Sequence, residues 1–341
     1  MSEPSRQPGP RSLAGSVVLG LVAFSATLIL LFGLSSVISR TAGDARATAR
    51  ASSTQGRSTG SGPSMSASTG SASRSASGDP VLVGAGDIAD CRLDSGAATA
   101  ALLDSIDGTV FTAGDNAYPN GSDANFEDCY DPTWGRHLDR TRPAPGNHDW
   151  ETKDLNGYLA YFGDGAAPAG VSWYSYDLGA WHVIVLDSDC GVVGGCLPDS
   201  PQGRWLAADL EASAARCTLA IWHHPRFSSG EHGNDTSVWP LWDALYRAGA
   251  DVVVNGHDHD YERFGPQDPA GREDKAAGIR EFVVGTGGAV LRGFPTVAAH
   301  SEKRSSDSLG VIRLVLRPAS YEWSFIETAG GVADSGNGTC H

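Results

Sequence analysis

Positive charge is scarce in this chain. Its 341 residues carry 25 Lys and Arg against 40 Asp and Glu, a formal net charge of -15. No basic patch offsets that balance. This excludes a nucleic-acid backbone as the main partner, because phosphate binding there rests on clustered cations. Bound cations would neutralise some Asp residues, so the acidity overstates the charge of the working protein. A Gly-x-x-x-x-Gly-Lys phosphate loop is absent, so nothing suggests nucleotide-driven work. The block His223-His224-Pro225 is not the Gly-x-Ser-x-Gly elbow of a serine hydrolase. There is no internal repeat, and none of the 6 cysteines stands at Cys-x-x-Cys zinc spacing.

Charge is missing altogether between Leu13 and Ile38. At roughly 20 residues per span, the stretch is long enough to cross a bilayer. It also exceeds the ~7–15 residue apolar core of a secretory signal. Residues 1–40 therefore read as a transmembrane signal anchor, with a cleaved signal peptide as the alternative. Residues 41–79 are Ser, Thr, Gly and Ala with scattered Arg. Such a composition buries too little apolar surface to fold and suits a flexible tether. Residues 80–341 remain as one folded domain, about 260 residues with room for a substantial core.

Arg6 and Arg11 precede the expected span, and Arg40, Arg46 and Arg50 follow it. Taken alone, that bias would put the folded domain in the cytosol. The cysteines argue the other way, being even in number and all in the folded part. Cys190 and Cys196 flank a short Gly-rich loop, and Cys91 and Cys129 each closely follow a metal-ligand motif described below. Cys217 and Cys340 would pin the C-terminus to a central strand. Bridges Cys91–Cys129, Cys190–Cys196 and Cys217–Cys340 are expected, and they imply an oxidising compartment. The domain is thus expected outside the cytoplasm, membrane-anchored or secreted. Asn120-Gly-Ser, Asn234-Asp-Thr and Asn337-Gly-Thr fit the glycosylation pattern.

Val81–Ala85 is a short apolar run, as a strand buried on both faces requires. Helical spacing follows over Ala97–Ile106, then a strand at Val110-Phe111-Thr112. Later strands are predicted at Trp181–Leu186, Thr218–Trp222, Asp251–Asn255, Glu281–Gly285, Val311–Leu316 and Tyr321–Ile326. Helices are predicted at Gly203–Ala214 and Ser237–Ala248. Strands and helices alternate early and strands dominate late, which suits a layered α/β sandwich with two sheets. In such sheets ligands gather beyond the carboxyl ends of strands.

Five motifs fall at strand ends: Gly86-Asp87, Gly114-Asp115-Asn116-Ala117-Tyr118, Gly146-Asn147-His148-Asp149, His223-His224-Pro225 and Gly256-His257-Asp258-His259. Their oxygen and nitrogen donors are numerous enough for two metal ions, one hard and one borderline. A two-metal site needs an anionic oxygen that bridges ions ~3.5–4 Å apart. Asp87 and Asp115 are the candidates, each after a Gly that lets the backbone turn sharply. His257 and His259, two positions apart, can reach one cluster from adjacent angles. His223 ends the apolar run Leu219–Trp222, and Asn147 would give a neutral carbonyl oxygen that leaves its ion more Lewis-acidic. The His224 side chain is expected to point away from His223. A dinuclear site implies hydrolysis at phosphorus or a related in-line displacement.

These motifs resemble the calcineurin-like metallophosphoesterase superfamily and, within it, the purple acid phosphatases. The pattern is Asp87, then Asp115 with Tyr118, then Asn147-His148-Asp149, then His223, then His257 with His259, spanning residues 86–259. The purple subgroup rests on Tyr118, His232 and Tyr261-Glu262-Arg263. The resemblance implies a four-layer α/β/β/α sandwich of two mixed β-sheets flanked by helices. It implies that Asp115 bridges two metals. Asp87, Tyr118 and His259 would complete one ion, Fe(III) in the purple enzymes. Asn147, His223 and His257 would complete the other, Fe(II), Zn or Mn. His148 would face the substrate phosphate, with Asp149 fixing its tautomer, and His232 would contact the phosphate or protonate the leaving group. The segment 226–234 is loop-like and would form a rim over the site.

The implied activity is hydrolysis of small phosphomonoesters by a metal-activated hydroxide. A phosphodiesterase on the same site is the first rival. A surface binding domain that holds metals without turnover is a rival of another class, and the intact ligand set with both His148 and His232 argues against it.

Overall fold

The computed structural model describes residues 78–341. The expected span at Leu13–Ile38 and nearly all of the 41–79 tether lie outside those residues. Among the described residues no helix is long and apolar enough to cross a membrane.

The strands in chain order are β1 (Val81–Ala85), β2 (Ala89–Asp90), β3 (Thr109–Ala113), β4 (Ala117–Tyr118), β5 (Thr141–Ala144), β6 (Tyr174–Leu178), β7 (Trp181–Val185) and β8 (Cys217–Ile221). There follow β9 (Val252–Asn255), β10 (Tyr261–Phe264), β11 (Arg280–Val284), β12 (Ser301–Ser305), β13 (Gly310–Arg317), β14 (Ser320–Glu327) and β15 (Val332–Thr339). One large sheet runs β15-β14-β13-β1-β3-β5 and the other β12-β10-β11-β9-β8-β7-β6. Both are mixed. β1 pairs parallel with β3 and antiparallel with β13, while β8 pairs parallel with β7 and β9 and β10 pairs antiparallel with β11.

Successive side chains of a strand face opposite sides, and here both sides are buried. Val183, Val185, Leu219, Ile221, Val252 and Val254 enter the core between the sheets. Their neighbours Ile184, Ala220 and Val253 enter a second core with Leu206, Leu241, Trp242 and Leu245. Those last four come from helices Pro201–Ala212 and Trp239–Arg247. Aromatic rings lock sheet to sheet: Tyr261 of β10 stacks on Phe325 of β14 at 4.0 Å, and Phe282 of β11 meets Trp323 at 5.6 Å. Helix Gly96–Leu103 buries Ala100 and Leu103 against the first sheet. The result is the four-layer α/β/β/α sandwich.

Helix Pro201–Ala212 begins before the predicted Gly203, because the Ser200 hydroxyl accepts from the Gly203 N–H at 3.0 Å and Pro201 fits the first turn. β5, β6, β10, β12 and β15 occur where the sequence pattern predicted no strand. Four of them are sheet edges, which carry polar residues and even Pro143 in β5. Disulfides link Cys91 to Cys129, Cys190 to Cys196, and Cys217 of β8 to Cys340 beyond β15. The fold brings the carboxyl ends of β1, β3, β5, β8 and β9 together, and each of the five motifs follows one of these strands.

Candidate metal centre

Three of the motif residues hold left-handed backbone that L-residues seldom adopt: Asp87 (φ 59°), Asp115 (φ 50°) and His257 (φ 71°). Such conformers cost about 1–3 kcal/mol each and persist where the surroundings impose them. Backbone bonds impose them here, with Asp87 N–H donating to Gly114 at 3.0 Å and Ile88 N–H to Asp115 at 3.0 Å. Gly146 is obligatory for space, since a Cβ there would strike both the Asp115 carboxylate and the His223 ring.

The side chains form two overlapping donor sets. In the first, the Tyr118 hydroxyl lies 2.8 Å from Asp87 Oδ1, 2.9 Å from Asp115 Oδ2 and 3.1 Å from His259 Nε2. In the second, His223 Nε2 lies 3.1 Å from Asn147 Oδ1, 3.2 Å from His257 Nδ1 and 3.3 Å from Asp115 Oδ2. Asp115 Oδ2 belongs to both. Asp87, Asp115 and His223 could hold an ion between them, and so could His223, His224 and His257. Two of the imidazoles, His223 and His259, are aimed by a second bond, the usual device at metal sites. His223 Nδ1 meets the Ala113 carbonyl at 2.9 Å, and His259 Nδ1 meets the Val290 carbonyl at 2.9 Å. Asp87 Oδ2 accepts from the His257 backbone N–H at 2.8 Å, tying the first motif to the last.

The electrostatics suit a cation. Burial, then the Asp115 and Asp87 carboxylates, push the Tyr118 phenol well above its ordinary range. Burial would lower the His223 imidazole, but the Asp115 carboxylate prevails and raises it to about 10. Burial and the neighbouring His223, His224 and His232 imidazoles push His257 down. A bound cation would relieve this buried anionic field, and the lowered His257 favours the neutral imidazole that metals bind. The phenol, carboxylate and imidazole donors of the first set fit a hard ion, and the Asn and imidazole donors of the second a borderline one.

His148 stands at the mouth, its Nε2 4.0 Å from Asp115 Oδ2 and its ring 4.6 Å from that of Tyr118. Its Nδ1 meets the Pro119 carbonyl at 2.6 Å and Glu151 Oε1 at 3.3 Å. The expectation that Asp149 fixes the His148 tautomer is therefore corrected. The buried Asp149 carboxylate instead accepts from Gly146 N–H at 2.9 Å, Asn116 N–H at 3.1 Å and Asn116 Nδ2 at 2.8 Å, which holds two ligand loops together. Burial and the Asp115 charge raise it to about 7.

His224 is corrected as well. The strand ends at Ile221, so the alternation of facing stops before His224. The His223 and His224 rings lie 5.0 Å apart, and the His224 and His257 rings 4.3 Å apart. Ser188 Oγ meets His224 Nδ1 at 2.8 Å. His232 is brought to the site, its ring 4.2 Å from that of His257. Two residues escaped the sequence reading. Asp258 accepts from the His232 N–H at 2.8 Å and the Gly233 N–H at 3.2 Å, and Arg292 Nη1 reaches His232 Nε2 at 2.6 Å. Asp258 lay inside a motif without an assigned role, whereas Arg292 carried no signal.

A two-layered sheet core with such donors at its strand ends defines a class, and comparison with known proteins agrees. Residues 81–261, just over half of the chain, match the calcineurin-like phosphoesterase family, and the chain belongs to that family. It is 30% identical to purple acid phosphatase 21 of Arabidopsis thaliana over 168 residues, 42% of this chain and 38% of that protein. It is 29% identical to acid phosphatase type 7 of Homo sapiens over 144 residues, 36% of this chain and 32% of that protein. The chain thus spans well under half the length of these relatives. The fold resembles a purple acid phosphatase from yellow lupin seeds, with a TM-score of 0.58 at 19% identity over 76% of this chain and 53% of that one. It also resembles the anchor in the inner membrane complex of Plasmodium, with a TM-score of 0.60 at 16% identity over 77% of this chain and 90% of that one.

Proposed function

We propose that this phosphoesterase-family protein is a dinuclear metal-dependent phosphomonoesterase of the acid phosphatase kind. The observation that carries the reading is the single Asp115 oxygen shared by the two donor sets. Asp87, Tyr118, His259 and Asp115 would hold one ion, and Asn147, His223, His257 and Asp115 the other. The first is proposed as Fe(III), because a phenolate is a hard anionic donor, and the second as Fe(II), Zn or Mn. When bound, the ions would supply Lewis acidity and an activated water for in-line attack at phosphorus. His148 would face the phosphate through Nε2, while its Nδ1 side is held at the Pro119 carbonyl. His232 would contact the phosphate from the side of His257. Asp149 would act only through the Gly146 and Asn116 backbone that presents the ligands.

The domain is proposed to work outside the cytoplasm, tethered through residues 1–79. Three disulfides support that reading, since such bridges persist in oxidising compartments. The test is turnover of p-nitrophenyl phosphate and bis-p-nitrophenyl phosphate across pH by the metal-loaded protein. Hydrolysis of the monoester above the diester is expected. No turnover of either, with two metals bound per chain, would sink the enzyme reading.

A further inference from the structure

We infer that Arg292 is an anion-recognition residue of this same site, binding the charged oxygens of a phosphomonoester dianion beside His232. The inference rests on the phosphoesterase reading above. Arg292 belongs to none of the five motifs, yet its backbone is fixed to one of them. Its N–H donates to the His259 carbonyl at 2.9 Å, two residues beyond the Val290 carbonyl that meets His259 Nδ1 at 2.9 Å. The segment 290–292 thus grips His259 at two points and sets Arg292 at the rim. Its side chain is 34% exposed.

The guanidinium lies one ring away from the second donor set. Its Nη1 meets His232 Nε2 at 2.6 Å, and the His232 ring faces that of His257 at 4.2 Å and 32°. A guanidinium only donates, so His232 Nε2 accepts and the ring's proton sits on Nδ1. His232 is in turn held by its N–H to Asp258 Oδ1 at 2.8 Å. The other polar side-chain contact of Arg292 among the described residues is Glu231 Oε2 at 3.9 Å, itself 55% exposed. An exposed pair of that length contributes little. Of the five N–H donors of a guanidinium, these contacts leave most unused, and its planar fork matches two oxygens of a phosphate.

A cation is needed at this place. The donor sets include the Asp87 and Asp115 carboxylates, Asp258 holds the adjoining His232 loop, and the whole chain carries a formal charge of -15. The Asp87 and Asp115 carboxylates and a Tyr118 phenolate would offset part of the charge of two bound ions, so a dianionic substrate gains from a further fixed positive charge. A structural link is the plainer role for Arg292. A bond to an exposed imidazole stabilises a fold little, however, while a rim guanidinium beside ligand imidazoles is placed for an oxyanion. A phosphodiester carries one negative charge fewer, so Arg292 would favour monoesters.

The test uses the full chain loaded with metal, as wild type, Arg292→Met and Arg292→Lys. Metal content, KM and kcat on both p-nitrophenyl esters, and calorimetric Kd for inorganic phosphate are measured. Arg292→Met should keep its metals and raise both the phosphate Kd and the monoester KM roughly tenfold or more. Its diester KM should move less, and Arg292→Lys should recover part of the loss. An unchanged phosphate Kd in Arg292→Met overturns the proposal, and so does loss of metal from that variant, which would make Arg292 a structural link. If wild type turns over neither ester, the phosphatase reading fails, but the phosphate Kd of the two variants still decides the role of Arg292. If wild type binds no phosphate, both fall.

Discussion

Asp115 Oδ2 lies 3.3 Å from His223 Nε2, and the same oxygen accepts from the Tyr118 hydroxyl at 2.9 Å. One carboxylate oxygen thus joins donors that follow β3 and β8. Burial alone would raise the Asp115 pKa, yet the His223 and His148 imidazoles hold it below the carboxylate range. Asp115→Asn keeps the shape and removes the anion. It should lower metal content from two ions per chain to one or none. Turnover should fall roughly a thousandfold, about 4 kcal/mol of lost charge stabilisation. Plasma emission analysis of the purified variant beside its kcat checks both, and two retained ions would refute the bridging role.

Tyr118 carries the proposal that the first ion is Fe(III). Its hydroxyl meets Asp87, Asp115 and His259 at 2.8–3.1 Å, so a phenolate there would bind whatever ion the set holds. If that ion is Fe(III), the oxidised protein should be violet, and Tyr118→Phe should lose the colour while keeping its fold. Visible absorption spectra read beside iron content decide the matter. An oxidised wild type that holds iron yet is colourless would overturn the iron(III) assignment.

The candidate ligands were legible in the sequence because most follow a buried strand, and a Gly-Asp or Gly-His after an apolar run marks such an end. The central strands showed themselves for the same reason, since Val252, Val253 and Val254 bury alternate faces in two cores. The sheet edges did not. Ser301–Ser305 and Val332–Thr339 are polar because one flank of each meets no further strand. The partners of the ligands were also hidden. Pro119 acts on His148 through a backbone carbonyl, which no side-chain motif records. His224 turned toward His257 because β8 stops at Ile221, and strand boundaries are poorly fixed by composition.

Asp258 illustrates such a hidden partner, and it can be tested. Its buried carboxylate accepts from the His232 N–H at 2.8 Å, the Gly233 N–H at 3.2 Å and the Ser228 hydroxyl. The Ser228 hydroxyl in turn accepts from the Gly230 N–H at 3.0 Å. One side chain between two candidate ligands therefore shapes the loop that carries His232. Asp258→Ala would strand several donors, at about 1–3 kcal/mol for each one left buried. Turnover should fall at least roughly tenfold while His257 and His259 keep their ions. Equal kcat in variant and wild type, with equal metal content, would show that the loop needs no such anchor.

Away from the site, His182 makes stability depend on pH. Its Nε2 meets Asp209 Oδ2 at 2.8 Å on helix Pro201–Ala212, and its Nδ1 meets Asp177 Oδ1 at 3.2 Å on β6. The Asp209 bond, opposed by burial and joined by the Asp177 bond, raises the imidazole above its ordinary value. A folded pKa above the unfolded one, about 6.5, favours the folded state fully below that pH. The advantage fades as pH rises through the folded value. His182→Gln removes the titrating group, so its penalty should be larger at about pH 5.5 than at about pH 9. The difference should amount to a few degrees in Tm for a domain of this size. Thermal unfolding of both proteins at the two pH values, followed by circular dichroism, measures it. Equal losses at both would mean that His182 is held by packing and carries no charge in the fold.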